Sequence, residues 1–385
     1  MANTTLEKWE EKTLGDVCTF LNGFAFESKK LKNIKDKNNN IPVIKIGNLQ
    51  PNETVSLKES QYSYYDNSLS NFLIKKNDIL FAMSGATVGK VSLFLSEEKA
   101  LLNQRVGLIR LNEERTSLKF LLYQLYDKNF YDYCQRTSGG AAQPNISLKQ
   151  VAHYQIKHPP LPEQERIVAK LDKAFEAIDK VKANAEQNLN NAKELFESTL
   201  NKALLKSETA NIKTTFGKEF KIKSGDFLSS QYMDVGGKYN VYGGNGVNGN
   251  YNHYNCSGEN IIIGRVGEKC GNVHYVNEDV WVTDNAFILT QTEHLLDKKF
   301  LYYLLTKLNL RKYAAKSTHP VISGKSMKDV LVCFPDNINT QQKIVEKLDA
   351  LQEQTKQLEA IYTQKIKECD ELKQSILQKA FRGEL

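Results

Sequence analysis

The sequence predicts an α+β fold assembled from two similar mixed α/β domains. Each domain is followed by a long amphipathic helix, and the helices pair antiparallel as a coiled coil, giving a pseudo-twofold internal repeat. Three observations predict it. Residues 164–203 lie on residues 341–380 without a gap at a shift of 177. Both of these segments carry a narrow apolar stripe at helical spacing. The stretches before them break into short strand-like runs separated by Gly-, Asn- and Ser-rich loops.

The helical repeat is the sharpest of the three, because its identities are polar as well as apolar. Gln164 falls on Gln341, Lys170-Leu171-Asp172 on Lys347-Leu348-Asp349, Glu176 on Glu353 and Ser198 on Ser375. Unrelated helices share apolar spacing but not this many polar positions. In the first copy the stripe runs through Ile167, Leu171, Phe175, Ile178, Ala185, Leu189, Ala192, Phe196, Thr199 and Ala203. In the second it runs through Ile344, Leu348, Leu351, Leu358, Tyr362, Ile366, Cys369 and Ile376. Over roughly 40 residues this spacing predicts a coiled coil about 60 Å long. Two separate helices, each packed on its own domain, are the alternative. The narrow stripes and matched lengths favour pairing, and an antiparallel pair sets the domains at opposite ends. Pro162 and Glu163 suit a first helical turn, while Asn339 offers an N-cap to the second helix with Gln342 three residues on.

The domains match more loosely. Thr13-Leu14-Gly15 resembles Thr215-Phe216-Gly217 at a shift of 202. Asp78-Ile79-Leu80, Gly85, Gly89 and Asn103 fall on Asn260-Ile261-Ile262, Gly267, Gly271 and Asn285 at 182, and Phe120-Leu121 on Phe300-Leu301 at 180. The extra residues of the first copy lie mostly between Lys29 and Asn67, as Asn- and Lys-rich loop material. Strands are expected at 41–46, 78–82, 91–94 and 106–109, with counterparts at 260–263 and 286–289. Short helices are expected at 118–127 and 297–308, and loops at 242–250 and 137–147. The domain limits are therefore 1–160, 161–208, 209–338 and 339–385.

Composition fits a soluble intracellular chain of 385 residues. Residues 1–9 are polar, unlike a signal peptide, and no apolar run approaches membrane-helix length. The six cysteines are scattered singly with no C-x-x-C pair, so a reducing cytoplasm is expected. The positive charge sits on the domains: 21 Lys and Arg against 16 Asp and Glu over residues 1–160, and 15 against 12 over 209–338. The helical segments are near neutral. A polyanion would bind where the surplus lies.

Several motifs fail on chemistry. Residues 244–249 satisfy G-x-G-x-x-G, but no apolar-striped helix follows to meet a pyrophosphate. Gly85 to Lys90 is one residue short of a P-loop and lacks its Ser/Thr, so a turn between strands is the better account. His253, Cys256, Cys270 and His274 have zinc-like spacing, yet the first copy has Val88 and Ser92 where the second has Cys270 and His274. The run His158-Pro159-Pro160-Leu161 lacks both the amide or acid and the aromatic of an amino-methyltransferase motif. No catalytic constellation and no metal site is expected, and the chain is read as a non-enzyme.

Three features together resemble a known family: the run from Thr137 to Ser147 (TSGGAAQPNIS), the proline-rich entrance from Pro159 to Val168 into the long helix, and the doubling of the whole unit. They look like the specificity subunit (HsdS) of type I restriction-modification systems. The runs at 77–85 and 379–385 add to the match, which covers essentially the full chain. The second copy departs in its shorter run at 317–323 and in residues 337–343, which replace the proline-rich entrance.

The resemblance implies that each domain is a target-recognition domain for half of a bipartite double-stranded DNA sequence. The helices would act as a ruler between half-sites and as a dock for two modification subunits. Those subunits would methylate adenine with S-adenosylmethionine. Restriction subunits would join for ATP- and Mg-dependent translocation and cleavage, and none of these cofactors would bind this chain. The candidate DNA-binding residues are Arg105, Arg136, Ser138, Gln143, Asn145 and Lys149 in the first domain, and Arg265, Lys269, Lys316, Thr318, His319 and Lys325 in the second. A coiled-coil scaffold that binds only protein, and the recognition subunit of a related methylation-based defence system, are the alternatives.

Overall fold

The computed structural model describes residues 9–50, 53–139, 144–205, 212–233, 236–315 and 320–385. The chain forms two compact units, residues 1–184 with 365–385 and residues 185–364. The central helix, Leu161–Leu205, and the C-terminal helix, Ile338–Phe381, each contribute one part to each unit.

Unit 1 is layered around a short strand, Ile79–Ala82, all four of whose residues are buried. Alternation sends successive side chains to opposite faces. Ile79 and Phe81 pack with Leu121, Leu125 and Phe130 from the helices Leu118–Tyr126 and Lys128–Thr137. Leu80 and Ala82 pack with Ile44, Phe94 and Leu102 towards a second sheet. The first sheet has the order Cys18–Asn22, Val106–Leu111, Ile79–Ala82, Val91–Leu93, Glu53–Thr54. The second has the order Gln61–Ser63, Ile41–Ile44, Ala100–Leu102, Leu73–Ile74. Unit 2 repeats this plan. Ile261 and Ile263 of Glu259–Gly264 pack with Leu301, Leu304 and Leu305 of the helix Lys298–Leu308, while Ile262 faces Val280, Val282 and Ala286. Burying each large side chain contributes about 1.5–3 kcal/mol.

Each domain is fastened to its helices by the same polar device. In unit 1 the buried Gln164 side chain accepts from the Ser117 amide at 2.8 Å and donates to the Pro159 and Arg115 carbonyls at 2.7 and 3.0 Å. In unit 2 Gln341 accepts from the Asp297 amide at 2.8 Å and donates to the Pro335 carbonyl at 2.7 Å. Two turns along, Asp172 accepts from Tyr123 Oη at 2.5 Å and Lys119 Nζ at 2.7 Å. Asp349 accepts from Tyr303 Oη and Lys299 Nζ, both at 2.7 Å. Burial, and then the adjacent carboxylate, push both tyrosine pKa values up, so each phenol stays a donor.

Within unit 1 the two helical segments run antiparallel. Lys182 reaches Asp370 at 2.7 Å, Lys373 pairs with Asp179, and Arg166 donates to the Leu385 carbonyl at 2.8 Å. Leu171, Ile167, Leu377 and Ala380 form their apolar seam with Phe120. In unit 2, Leu200, Leu204, Val345 and Leu348 join the domain core.

Four expectations are corrected. The C-terminal helix is capped by Asn337 rather than Asn339: Asn337 Oδ1 accepts from the Asn339 amide at 2.8 Å. The buried stripe slips by one residue near each helix end, to Leu200 and Leu204 rather than Thr199 and Ala203, and to Leu377 rather than Ile376. A helix of 3.6 residues per turn drifts from a heptad, and these ends pack on a domain as well. The Asn- and Gly-rich stretch 242–250 is not a loop: Tyr239–Gly243 and Gly246–Tyr251 pair as an antiparallel hairpin. The turn is Gly244-Asn245, and Gly246, at φ +96°, begins the returning strand. Finally, backbone bonds align Asn103 with Thr283, and Arg105 with Asn285, a shift of 180 rather than 182. The Asn103 amide donates to the Ile44 carbonyl and the Thr283 amide to the Tyr242 carbonyl.

Replacing Gln164 by Leu should strand the Ser117 amide and the Pro159 carbonyl away from water, costing about 1–3 kcal/mol for each buried group left without a partner. Equilibrium denaturation should register that loss for Gln164→Leu and for Gln341→Leu. Gln187→Leu, on an exposed helix face, should leave the midpoint unchanged.

Candidate nucleic-acid interface

In unit 1 the chain leaves Ile79–Ala82, turns through Gly85–Gly89 and returns as Val91–Leu93, so the P-loop-like run is a hairpin turn. Gly85 and Gly89 have φ of +81° and +85°, a region that L side chains avoid. Three backbone segments lie side by side at this end. Met83 N–H donates to the Arg105 carbonyl at 3.0 Å, Ile146 N–H donates to the Met83 carbonyl at 2.9 Å, and Gly85 N–H donates to the Pro144 carbonyl at 2.9 Å. The sequence segments 103–105, 83–85 and 144–147 therefore form one edge.

Unit 2 builds the same edge with other residues. Arg265 N–H donates to the Asn285 carbonyl at 2.9 Å, Ile322 N–H to the Arg265 carbonyl at 3.0 Å and Gly267 N–H to the Pro320 carbonyl at 3.0 Å. Gly267 and Gly271 sit at φ +88° and +89°. Each edge continues into a short helix capped by a serine, Ser147 before Leu148–Ala152 and Ser323 before Gly324–Met327. Lys149 and Lys325 hold equivalent exposed positions there.

The sequence candidates divide three ways. Arg105, Asn145, Lys149, Lys269 and Lys325 are exposed on or beside these edges, and Arg136 is exposed in the last turn of its helix. None of these cations forms an ion pair among the described residues. Three lysines at the helices, Lys119, Lys182 and Lys299, are instead neutralised by Asp172, Asp370 and Asp349. Two candidates face inward. Ser138 is buried, caps its helix and donates its hydroxyl to the Gln135 carbonyl at 3.0 Å, so its side chain is structural. Arg265 is half-buried, donating to Ser224 Oγ and the Asp284 carbonyl at 3.3 Å and stacking over Phe287. Gln143, Lys316, Thr318 and His319 lie outside the described residues.

Among the described residues the zinc-like residues form no group of three that could hold a metal ion. Cys256 belongs to the cluster of Ile262 and Val276, Cys270 to that of Phe300 and Leu310, and the His274 ring packs edge-on to Tyr242. Lys45 and Gln104 line a cleft with Arg105. The sequence reading missed both, because nothing local marks a lysine 60 residues before an arginine as its neighbour.

Comparison with known proteins places this doubled geometry. A model of the type I restriction modification DNA specificity domain matches the chain twice, over residues 6–191 and 193–368. The chain belongs to this family. Among its relatives, the EcoprrI specificity subunit of Escherichia coli is 23% identical over 72% of this chain and 73% of its own length. The EcoBI specificity subunit of Escherichia coli is 22% identical over 98% and 86%. A solved chain from a type I R-M system has a TM-score of 0.74 at 20% identity, over 98% of this chain and 99% of that one. The HsdS subunit from Thermoanaerobacter tengcongensis gives 0.53 at 19%, over 98% and 97%. These structures share the fold, and the two specificity domains fit recognition of a two-part target. Among the described residues, no helix is long and apolar enough to cross a membrane.

Lys149→Ala and Lys325→Ala should each lower the slope of log K against log salt by about 0.9, the signature of one lost phosphate contact. Asn145→Ala should instead weaken target DNA far more than random DNA. Titration with both duplexes over a salt series separates the two effects, and equal losses on both duplexes would sink a base-reading role for Asn145.

Proposed function

We propose that this chain is the sequence-specific DNA-binding subunit of a type I restriction-modification complex, with each unit taking one half of a bipartite target. The observation that carries this is the edge built twice on one backbone plan with different exposed side chains. A shared scaffold with divergent reading residues suits two different half-sites. On this reading the chain works in the cytoplasm and has no catalytic role of its own. S-adenosylmethionine, ATP and Mg act on its partners, and the assembled complex methylates adenine and cleaves DNA. The long helices set the gap between half-sites.

The helices also support docking of two modification subunits. In unit 1, the register that pairs Lys182 with Asp370 and Asp179 with Lys373 brings Val181 and Leu372 within one residue of opposite positions. The 177-residue repeat gives Leu358 and Leu195 the equivalent positions in unit 2. These four apolar side chains are 38–57% exposed. A patch that occurs twice suits a partner that binds twice.

Sequencing of modified bases in a host with and without this gene should lose one split, gapped adenine-methylation motif. An unchanged methylome, with no retention of DNA by the assembled protein at any salt, would favour the protein-only scaffold. Leu372→Glu or Leu358→Glu should each reduce the bound modification subunits from two to one, measured as the mass of the assembled complex. Retention of both subunits in the double variant would move the dock elsewhere.

A further inference from the structure

One cleft in unit 1 carries cations with no anion to meet them. It is lined by Phe26, Ser28, Lys45, Gly47, Gln104 and Arg105 among others. Lys45 follows the strand Ile41–Ile44 and is half-buried, and its ammonium donates to the Gln61 side-chain oxygen. The Gln61 amide is oriented by donating to Asn33 Oδ1 at 2.8 Å, which turns its oxygen towards Lys45. An ammonium has three donors, so two remain for a ligand. Burial depresses the Lys45 pKa. Arg105 is exposed, and among the described residues only its backbone is engaged, the amide by Asn103 Oδ1 at 3.3 Å and the carbonyl by the Met83 amide at 3.0 Å. Neither cation forms an ion pair among the described residues. A Cβ on Gly47 would meet nothing within 4 Å, so the cleft is open on that side.

The same position in unit 2 has different chemistry. The aligned backbone bonds set Gly243 where unit 1 has Lys45, and Asp284-Asn285 where it has Gln104-Arg105. In unit 2 the Asn248 side-chain nitrogen fills the place a Cβ on Gly243 would take, 2.1 Å from it. The donor-rich cleft is thus confined to one unit, on an edge whose backbone both units share. In the major groove, guanine presents two acceptors, O6 and N7, with no donor beside them.

We propose that Lys45, held by Gln61, and Arg105 form the pocket through which unit 1 recognises a guanine of its half-site, donating to O6 and N7. This rests on the specificity-subunit reading above and deepens it.

The test is base-resolved methylation in a host carrying the full complex with the wild-type chain, Arg105→Ala or Lys45→Met. The wild type should yield a gapped motif with a fixed G·C pair in one half. Each variant should accept other bases at that pair, with discrimination falling roughly tenfold to hundredfold. The other half and the gap should stay as they are, which also establishes that the variant folds and assembles. A motif that survives both variants unaltered overturns the guanine pocket alone, and so does relaxation at an A·T pair. Uniform loss of methylation by a chain with unchanged thermal unfolding reassigns the cations to phosphate and overturns it too. Absence of any gapped motif from the wild type overturns the specificity reading with it.

Discussion

Everything that presents a recognition edge depends on how firmly each domain is held to its helices. That attachment is a buried side-chain amide made twice, Gln164 in one unit and Gln341 in the other. Each closes the orphan amide at the start of a domain helix and the carbonyl of a proline just before its own helix. Leaving such groups without partners away from water is more costly than the bonds are worth individually, so the arrangement fixes one geometry. The Tyr–Asp–Lys cluster two turns further on adds a second anchor, and two anchors remove the freedom to pivot.

With the scaffold fixed, the edge is free to vary. Its backbone is dictated by the turn glycines and by the bonds among three strand ends, none of which uses an exposed side chain. Arg105 can become Asn285 and Lys45 can become Gly243 without altering those bonds. On the proposed function, affinity for a polyanion and discrimination among sequences would fall to exposed side chains outside those bonds. Asp172, Asp370 and Asp349 of the helices are taken by lysines, while the exposed edge cations form no ion pair among the described residues.

Some of this was legible from residues alone. Strand Ile79–Ala82, the domain helices and both long helices were visible, because apolar periodicity is a property of a short window. Ser138 was misjudged because sequence does not distinguish a serine that caps a helix from one that faces solvent. Asn103 was misaligned by two residues because an asparagine and a threonine can each turn a side-chain oxygen onto the amide two residues ahead. The stretch at 242–250 hides its strands because Gly and Asn dominate it, and its pairing comes from the partner strand.

The sequence by itself determined the doubling, the extent of the helices and the placing of charge on the domains. Identity at a constant shift and local periodicity need no knowledge of contacts. Only the tertiary structure decided that Gln164 and Asp172 are anchors rather than surface polar residues, that Arg265 turns inward, and that Lys45 shares a cleft with Arg105. Those facts rest on hydrogen bonds and packing between segments distant in the chain, and side-chain chemistry alone carries no record of its neighbours in space.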